Sequence, residues 1–118
     1  LTRRDLQAWA KKGAKPWEIA KGFDRSAPIG TRVRAAGVPQ PLRGRIELSV
    51  NGEPRQGADL GDMTWDLPHV IAELSRYFEL CPGDLIFTGT PAGVGPVVPG
   101  DRLLGSIAGI GTVAATIA

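Results

Sequence analysis

Residues 82–103 read PGDLIFTGTPAGVGPVVPGDRL, and one device occurs twice in them. Pro82-Gly83-Asp84 stands immediately before Leu85-Ile86, and Pro99-Gly100-Asp101 before Arg102-Leu103. Proline fixes φ, glycine adopts backbone shapes barred to other residues, and aspartate bonds nearby backbone, so each triplet predicts a turn that feeds a strand. Between the two triplets, Leu85–Thr88 runs into a segment of Thr, Gly and Pro with no charge from Thr88 to Gly100. Such a loop has too little bulk to pack a core. It lets a small ligand approach the backbone, and Thr88 and Thr90 bring hydroxyls that both donate and accept. A plain tight turn between strands accounts for the same composition.

Strand signals continue on both sides. Ile46, Leu48 and Val50 alternate with Glu47 and Ser49 and lead into Asn51-Gly52, the strongest short-range hairpin signal, while Pro54 on the return strand predicts an edge position. The C-terminal SIAGIGTVAATIA adds two short β-branched runs around Gly109 and Gly111. Leu67–Leu80 carries Val70, Ile71, Leu74, Tyr77 and Phe78 at helical spacing, with Asp66 ahead and Pro68 in the first turn, and predicts the one long helix. Thr2 and Asp5 have the form of a capping box, and Leu6, Trp9 and Ala10 recur until Gly13, which predicts one short helix. KPWEIAKGFDRSAPIG (15–30) has no steady period and reads as an irregular segment with a helical turn at its centre. The expected class is α+β, mainly β, with repeated short strands forming a rolled sheet rather than a βαβ array.

With 118 residues, 42% hydrophobic and 22% charged, the composition is that of one soluble globular domain. No apolar run approaches the roughly 18–20 residues that span a bilayer, and no signal peptide is visible, so the expected location is cytoplasmic with no membrane partner. The single Cys81 excludes an internal disulfide and is expected to be a small packing residue. His69, the only histidine, falls off the apolar stripe and is expected at the surface. The net charge of +2 is unevenly spread: residues 1–45 hold 11 Lys and Arg against 3 acids, and residues 46–118 hold 3 against 9. The basic residues form no run longer than two and interleave with no aromatic platform, which argues against nucleic acid and for a small anionic substrate. The chain starts at Leu1 and its only methionine is Met63, so a fragment is expected.

Five segments together resemble the fumarylacetoacetate hydrolase family, and within it fumarylpyruvate hydrolases. They are LTRRDLQ (1–7), PWEIAKGFDRSAPIG (16–30), VNGEPRQ (50–56), MTWDLPHVIAELSRYFELCPGDLIFTGTPAGVGPV (63–97) and GIGTV (109–113). The resemblance implies a mixed β-sandwich roll, with residues 1–118 the C-terminal portion of a single catalytic domain whose N-terminal part is missing. It implies hydrolysis of a carbon–carbon bond in an acylpyruvate, fumarylpyruvate to fumarate and pyruvate, within aromatic catabolism, by a homodimer acting on a small diketo acid. It also implies Mg²⁺ or Mn²⁺ held by an aspartate just before Leu1 and two upstream glutamates, so that this chain alone supplies no metal ligand and is inactive.

By the same resemblance Lys21 is the catalytic lysine that neutralises charge on a substrate oxygen. Arg4 and Gln7 correspond to residues directed at the substrate, and their i, i+3 spacing puts both on one helix face. A polar helix surface suits that spacing equally well. Gly89 and Thr90 correspond to a Gly-Thr pair that binds the keto-acid end of the substrate, while Asp24 and Ser26 are left to the turn. Other acylpyruvate hydrolysis or oxaloacetate decarboxylation is the nearest alternative, and a non-catalytic binding or dimerisation module is the alternative of another class.

Overall fold

Alternation of apolar and polar residues, interrupted by turns that need positive φ, builds the centre of the molecule. The computed structural model describes residues 1–37 and 42–118. Strands β1 (Arg45–Val50), β2 (Glu53–Asp59), β3 (Arg102–Ile107) and β4 (Gly111–Thr116) form one antiparallel sheet in the order β2-β1-β3-β4. Asn51 and Gly52 both take positive φ, 54° and 85°, the geometry of a type I′ hairpin turn. Pro54 lies on β2 at the sheet edge, where its missing N–H costs no ladder bond. Opposed residues share a face. Ile46, Leu48 and Val50 on β1 therefore lie on one side with Ile107, Gly105 and Leu103 on β3, and with Val113 and Ala115 on β4. Glu47, Ser106 and Thr112 lie on the other.

The two Pro-Gly-Asp triplets form matching turns. The Asp84 carboxylate accepts from the Cys81 N–H at 2.8 Å, and the Asp101 carboxylate accepts from the Val98 N–H at 2.9 Å. Asp101 also accepts from Asn51 Nδ2 at 2.8 Å, while Asn51 Oδ1 accepts from the Arg102 N–H at 2.9 Å, so the hairpin turn clasps the entry to β3. Cys81 is exposed rather than packed, because its turn stands at the surface. The second turn delivers β3. The first delivers Leu85–Thr88, which finds no ladder partner among the described residues; Leu85, Ile86 and Phe87 are exposed.

Helix α1 spans Arg4–Lys12, α2 is the single turn Glu18–Lys21, and α3 spans Leu67–Leu74. Asp66 caps α3 by accepting from the His69 N–H at 2.9 Å. The helix stops six residues before the expected Leu80. Ser75 Oγ donates back to the Ala72 carbonyl at 2.8 Å, and Tyr77 and Phe78 are 68% and 63% exposed, so among the described residues nothing packs on a longer helix to support its propagation. Helices α1 and α2 pack through the fully buried Ala10 and Ala20, and the Arg3 N–H donates to the Ala20 carbonyl at 3.0 Å. From α2 the chain runs to Gly30, where a Cβ would lie 3.0 Å from the Thr112 carbonyl oxygen, so the segment passes close over β4. Among the described residues, no helix is long and apolar enough to cross a membrane.

Candidate functional site

The expected site residues fall into two clusters. The first is built on α1 and α2. Arg4 Nη1 donates to Gln7 Oε1 at 2.8 Å across one helical turn, and Gln7 is buried. The expected capping box does not form: the N-cap of α1 is Arg3 without a side-chain bond, and Thr2 Oγ1 instead accepts from Lys21 Nζ at 2.8 Å. The hydroxyl that the spacing assigned to the helix is thus used to hold the lysine. Arg3 stacks over Phe23 at 4.6 Å, which pins the turn after Lys21 to the start of α1. Ser26 contributes its carbonyl, accepting from the Leu1 nitrogen at 2.7 Å.

The second cluster lies on the apolar face of the sheet. Gly89 has φ +103°, a conformation that glycine adopts at low cost and that strains any residue with a side chain. Gly93, at φ +98°, lies so close to β2 that a Cβ would overlap the Arg55 carbonyl oxygen. Gln56 Nε2 donates to Thr90 Oγ1 at 2.8 Å and to the Pro91 carbonyl at 2.7 Å. Loop residues Thr88–Pro91, with Ile46, Ala58, Met63 and Trp65, line an open groove of about 460 Å³. Its acids are already committed. Asp59 accepts from the Gly61 and Gly44 N–H groups, which hold its carboxyl below the ordinary range, and Asp62 accepts from the Asp59 N–H at 3.1 Å. The groove does not include Arg4, Gln7 or Lys21.

His69 stands outside both clusters, exposed, with Nδ1 2.6 Å from Asp66. The two groups that sequence reasoning missed are Thr2 and Gln56. Thr2 gave no signal beyond the cap it does not form. Gln56 gave none: an unbroken hairpin register sets it opposite Glu47, and only the register shift between Leu48 and Ser49 brings it opposite Leu48 on the apolar face. Among the described residues, no group of three His, Cys, Asp or Glu comes together; the first cluster offers cations, a hydroxyl and an amide, and the second offers hydroxyls, an amide and two aspartates bonded to backbone N–H groups. That donor set does not fit a hard divalent cation, which needs converging oxygens, mostly carboxylate.

An antiparallel sheet carrying a bare Gly-Thr loop on one face, with a basic helix–turn unit preceding it, matches one family across the whole chain. The family described as Fumarylacetoacetate (FAA) hydrolase C-terminal matches residues 1–118, and the chain belongs to the fumarylacetoacetate hydrolase family. A fumarylpyruvate hydrolase of a Ralstonia species is 40% identical over 117 residues, covering 99% of this chain and 60% of that protein. An Escherichia coli relative named oxaloacetate tautomerase YcgM is 45% identical over 104 residues, 87% of this chain and 48% of that protein. The crystal structure of a Pseudomonas aeruginosa fumarylpyruvate hydrolase in complex with Mn²⁺ and pyruvate superposes with a TM-score of 0.94 at 49% identity, covering 98% of this chain and 50% of that one. The chain therefore spans about half the length of the relatives it matches.

Proposed function

We propose that residues 1–118 are the C-terminal portion of one catalytic domain, and that the whole protein hydrolyses fumarylpyruvate to fumarate and pyruvate in aromatic catabolism. The likeness to the pyruvate-bound relative carries this proposal. The half-length match supports the domain part, as do the unpaired Leu85–Thr88 segment and the exposed Phe87, Tyr77 and Phe78, an apolar surface suited to the rest of the domain.

In the reaction, water adds to the carbonyl on the fumaryl side and the bond from that carbon to the pyruvyl methylene breaks. The bond's electron pair leaves on the pyruvate enolate, which takes up a proton. Lys21, held by Thr2, offsets charge on the substrate oxygen as the enolate forms. The Gly89 backbone and the Thr90 hydroxyl hold the keto-acid end. Arg4, fixed by Gln7, is suited to the distal carboxylate, since guanidinium grips a carboxylate through parallel bonds. In the whole protein a divalent metal, Mg²⁺ or Mn²⁺, would be held by carboxylates outside this chain, an aspartate ahead of Leu1 and two upstream glutamates, and would supply Lewis acidity to the reaction. A cytoplasmic homodimer completes the proposal.

Tautomerisation of oxaloacetate is a second reading, favoured by the YcgM likeness. It uses the same keto-acid end without cleavage. A lactate dehydrogenase-coupled assay of pyruvate release by the full-length protein, with Mn²⁺ and after chelation, separates the two. Metal-dependent release from fumarylpyruvate is expected; a folded, metal-loaded protein that releases none is not an acylpyruvate hydrolase.

A further inference from the structure

The hairpin motif VNGEPRQ ends in a residue that the proposed chemistry leaves unused. Gln56 pairs with Leu48 and so lies on the face of Ile46, Leu48 and Val50, where an amide has no hydrophobic reason to be. A β-bulge sits beside it: the ladder steps from Leu48–Gln56 to Ser49–Pro54, leaving Arg55 as the extra residue. Bulges re-aim side chains. Here the bulge and the Gly-Thr loop interlock, with Gly93 closing on the Arg55 carbonyl while the half-buried Gln56 reaches Thr90 and Pro91.

The chemistry of the two partners fixes the direction of each bond. A carbonyl oxygen only accepts, so the Gln56 atom 2.7 Å from Pro91 O is the nitrogen. The same nitrogen lies 2.8 Å from Thr90 Oγ1, and its two hydrogens are thereby both committed. Thr90 is the acceptor in that bond, so its own O–H points away from Gln56, and Thr90 is exposed beside the groove.

We propose that Gln56 is a positioning residue that sets the Thr90 hydroxyl as a hydrogen-bond donor toward an anionic keto-acid oxygen. The inference deepens the function proposed above and rests on Thr90 contacting the substrate. A hydroxyl left to rotate would spend part of its time donating to the Pro91 carbonyl or to solvent. With Gln56 occupying both acceptors of the loop, the proton is available to a carboxylate or keto oxygen without reorganisation.

The test uses the full-length protein, with pyruvate as a competitive inhibitor of acylpyruvate cleavage. Gln56→Glu keeps the shape and turns the donor into an acceptor, so the Thr90 proton is drawn to residue 56; pyruvate inhibition should weaken about tenfold or more. The Gln56→Glu, Thr90→Val double variant should bind pyruvate no more weakly than Thr90→Val alone, because both changes remove one and the same donated bond. If Gln56→Glu does not fold, Gln56→Met tests the same point, with the same direction and the same non-additivity expected. Wild-type inhibition by a folded Gln56 variant overturns the inference, and so do losses that multiply in the double variant. If Thr90→Val alone leaves inhibition unchanged, the assignment of Thr90 to the substrate fails and this inference falls with it. A Gln56 failure beside an effective Thr90→Val leaves that assignment standing.

Discussion

Replacing Thr90 by valine keeps a β-branched side chain of nearly the same shape and removes one oxygen. In the folded protein that oxygen accepts a single bond from Gln56, which retains the Pro91 carbonyl at 2.7 Å. The loop keeps its other constraints, Gly89 at φ +103° and Gly93 against Arg55. One lost neutral hydrogen bond costs about 1 kcal/mol, a shift of a few degrees in the thermal midpoint for a protein of this size. The kinetic loss is larger. A bond from the hydroxyl to a charged substrate oxygen is worth about 1.5–3 kcal/mol, so kcat/KM should fall about tenfold to about a hundredfold. Steady-state pyruvate release and thermal melts on the full-length protein read the two effects separately. Thr112→Val is the matched control, since Thr112 pairs with Ser106 on the opposite face of the sheet; its kcat/KM should be nearly intact. A larger kinetic loss at Thr112, or a Thr90→Val protein that unfolds while its folded fraction turns over normally, would refute the loop as a ligand wall.

Lys21 Nζ is exposed and, among the described residues, bonds only Thr2. Lys21→Met should therefore leave the circular dichroism spectrum unchanged and lower kcat by about two orders of magnitude or more; near-normal turnover would remove Lys21 from the mechanism. The isolated 118-residue chain should take up no Mn²⁺ in equilibrium dialysis, because its described residues bring no three acidic, His or Cys side chains together. The Asp101 carboxyl is held below the ordinary aspartate range by the Val98 N–H first and the Asn51 amide second. Its folded pKa lies below its unfolded one, so its stabilisation is complete above about pH 4 and is lost as pH falls through the depressed value. Asp101→Asn should consequently lower the urea midpoint at neutral pH and flatten its decline in acid; an unchanged acid slope would contradict the clasp.

The hairpin, its edge strand and the two Pro-Gly-Asp turns were legible because their signals are local. Asn51-Gly52 needs two positive φ angles, and each aspartate bonds a residue three positions back. The end of α3 and the pairing of Leu85–Thr88 were not legible, because both depend on what an apolar face meets and not on the face itself. Tyr77 and Phe78 have helical spacing but lie exposed. Within the candidate site, Lys21, Arg4, Gln7, Gly89 and Thr90 were named by resemblance, and the structure pairs Arg4 with Gln7 and gathers Gly89 and Thr90 at one groove. Thr2 was misassigned because a hydroxyl three residues before an acid suits a cap as well as a lysine partner. Gln56 was not visible, because the bulge that moves it from opposite Glu47 to opposite Leu48 carries no local signal.

Proton NMR of fumarylpyruvate incubated with the full-length protein and Mn²⁺ follows cleavage and tautomerisation in one tube. One fumarate and one pyruvate should appear for each molecule of substrate lost, and the conversion should stop when the metal is chelated. Keto–enol exchange of an intact substrate, with neither product formed, would contradict hydrolysis and leave this family member a tautomerase.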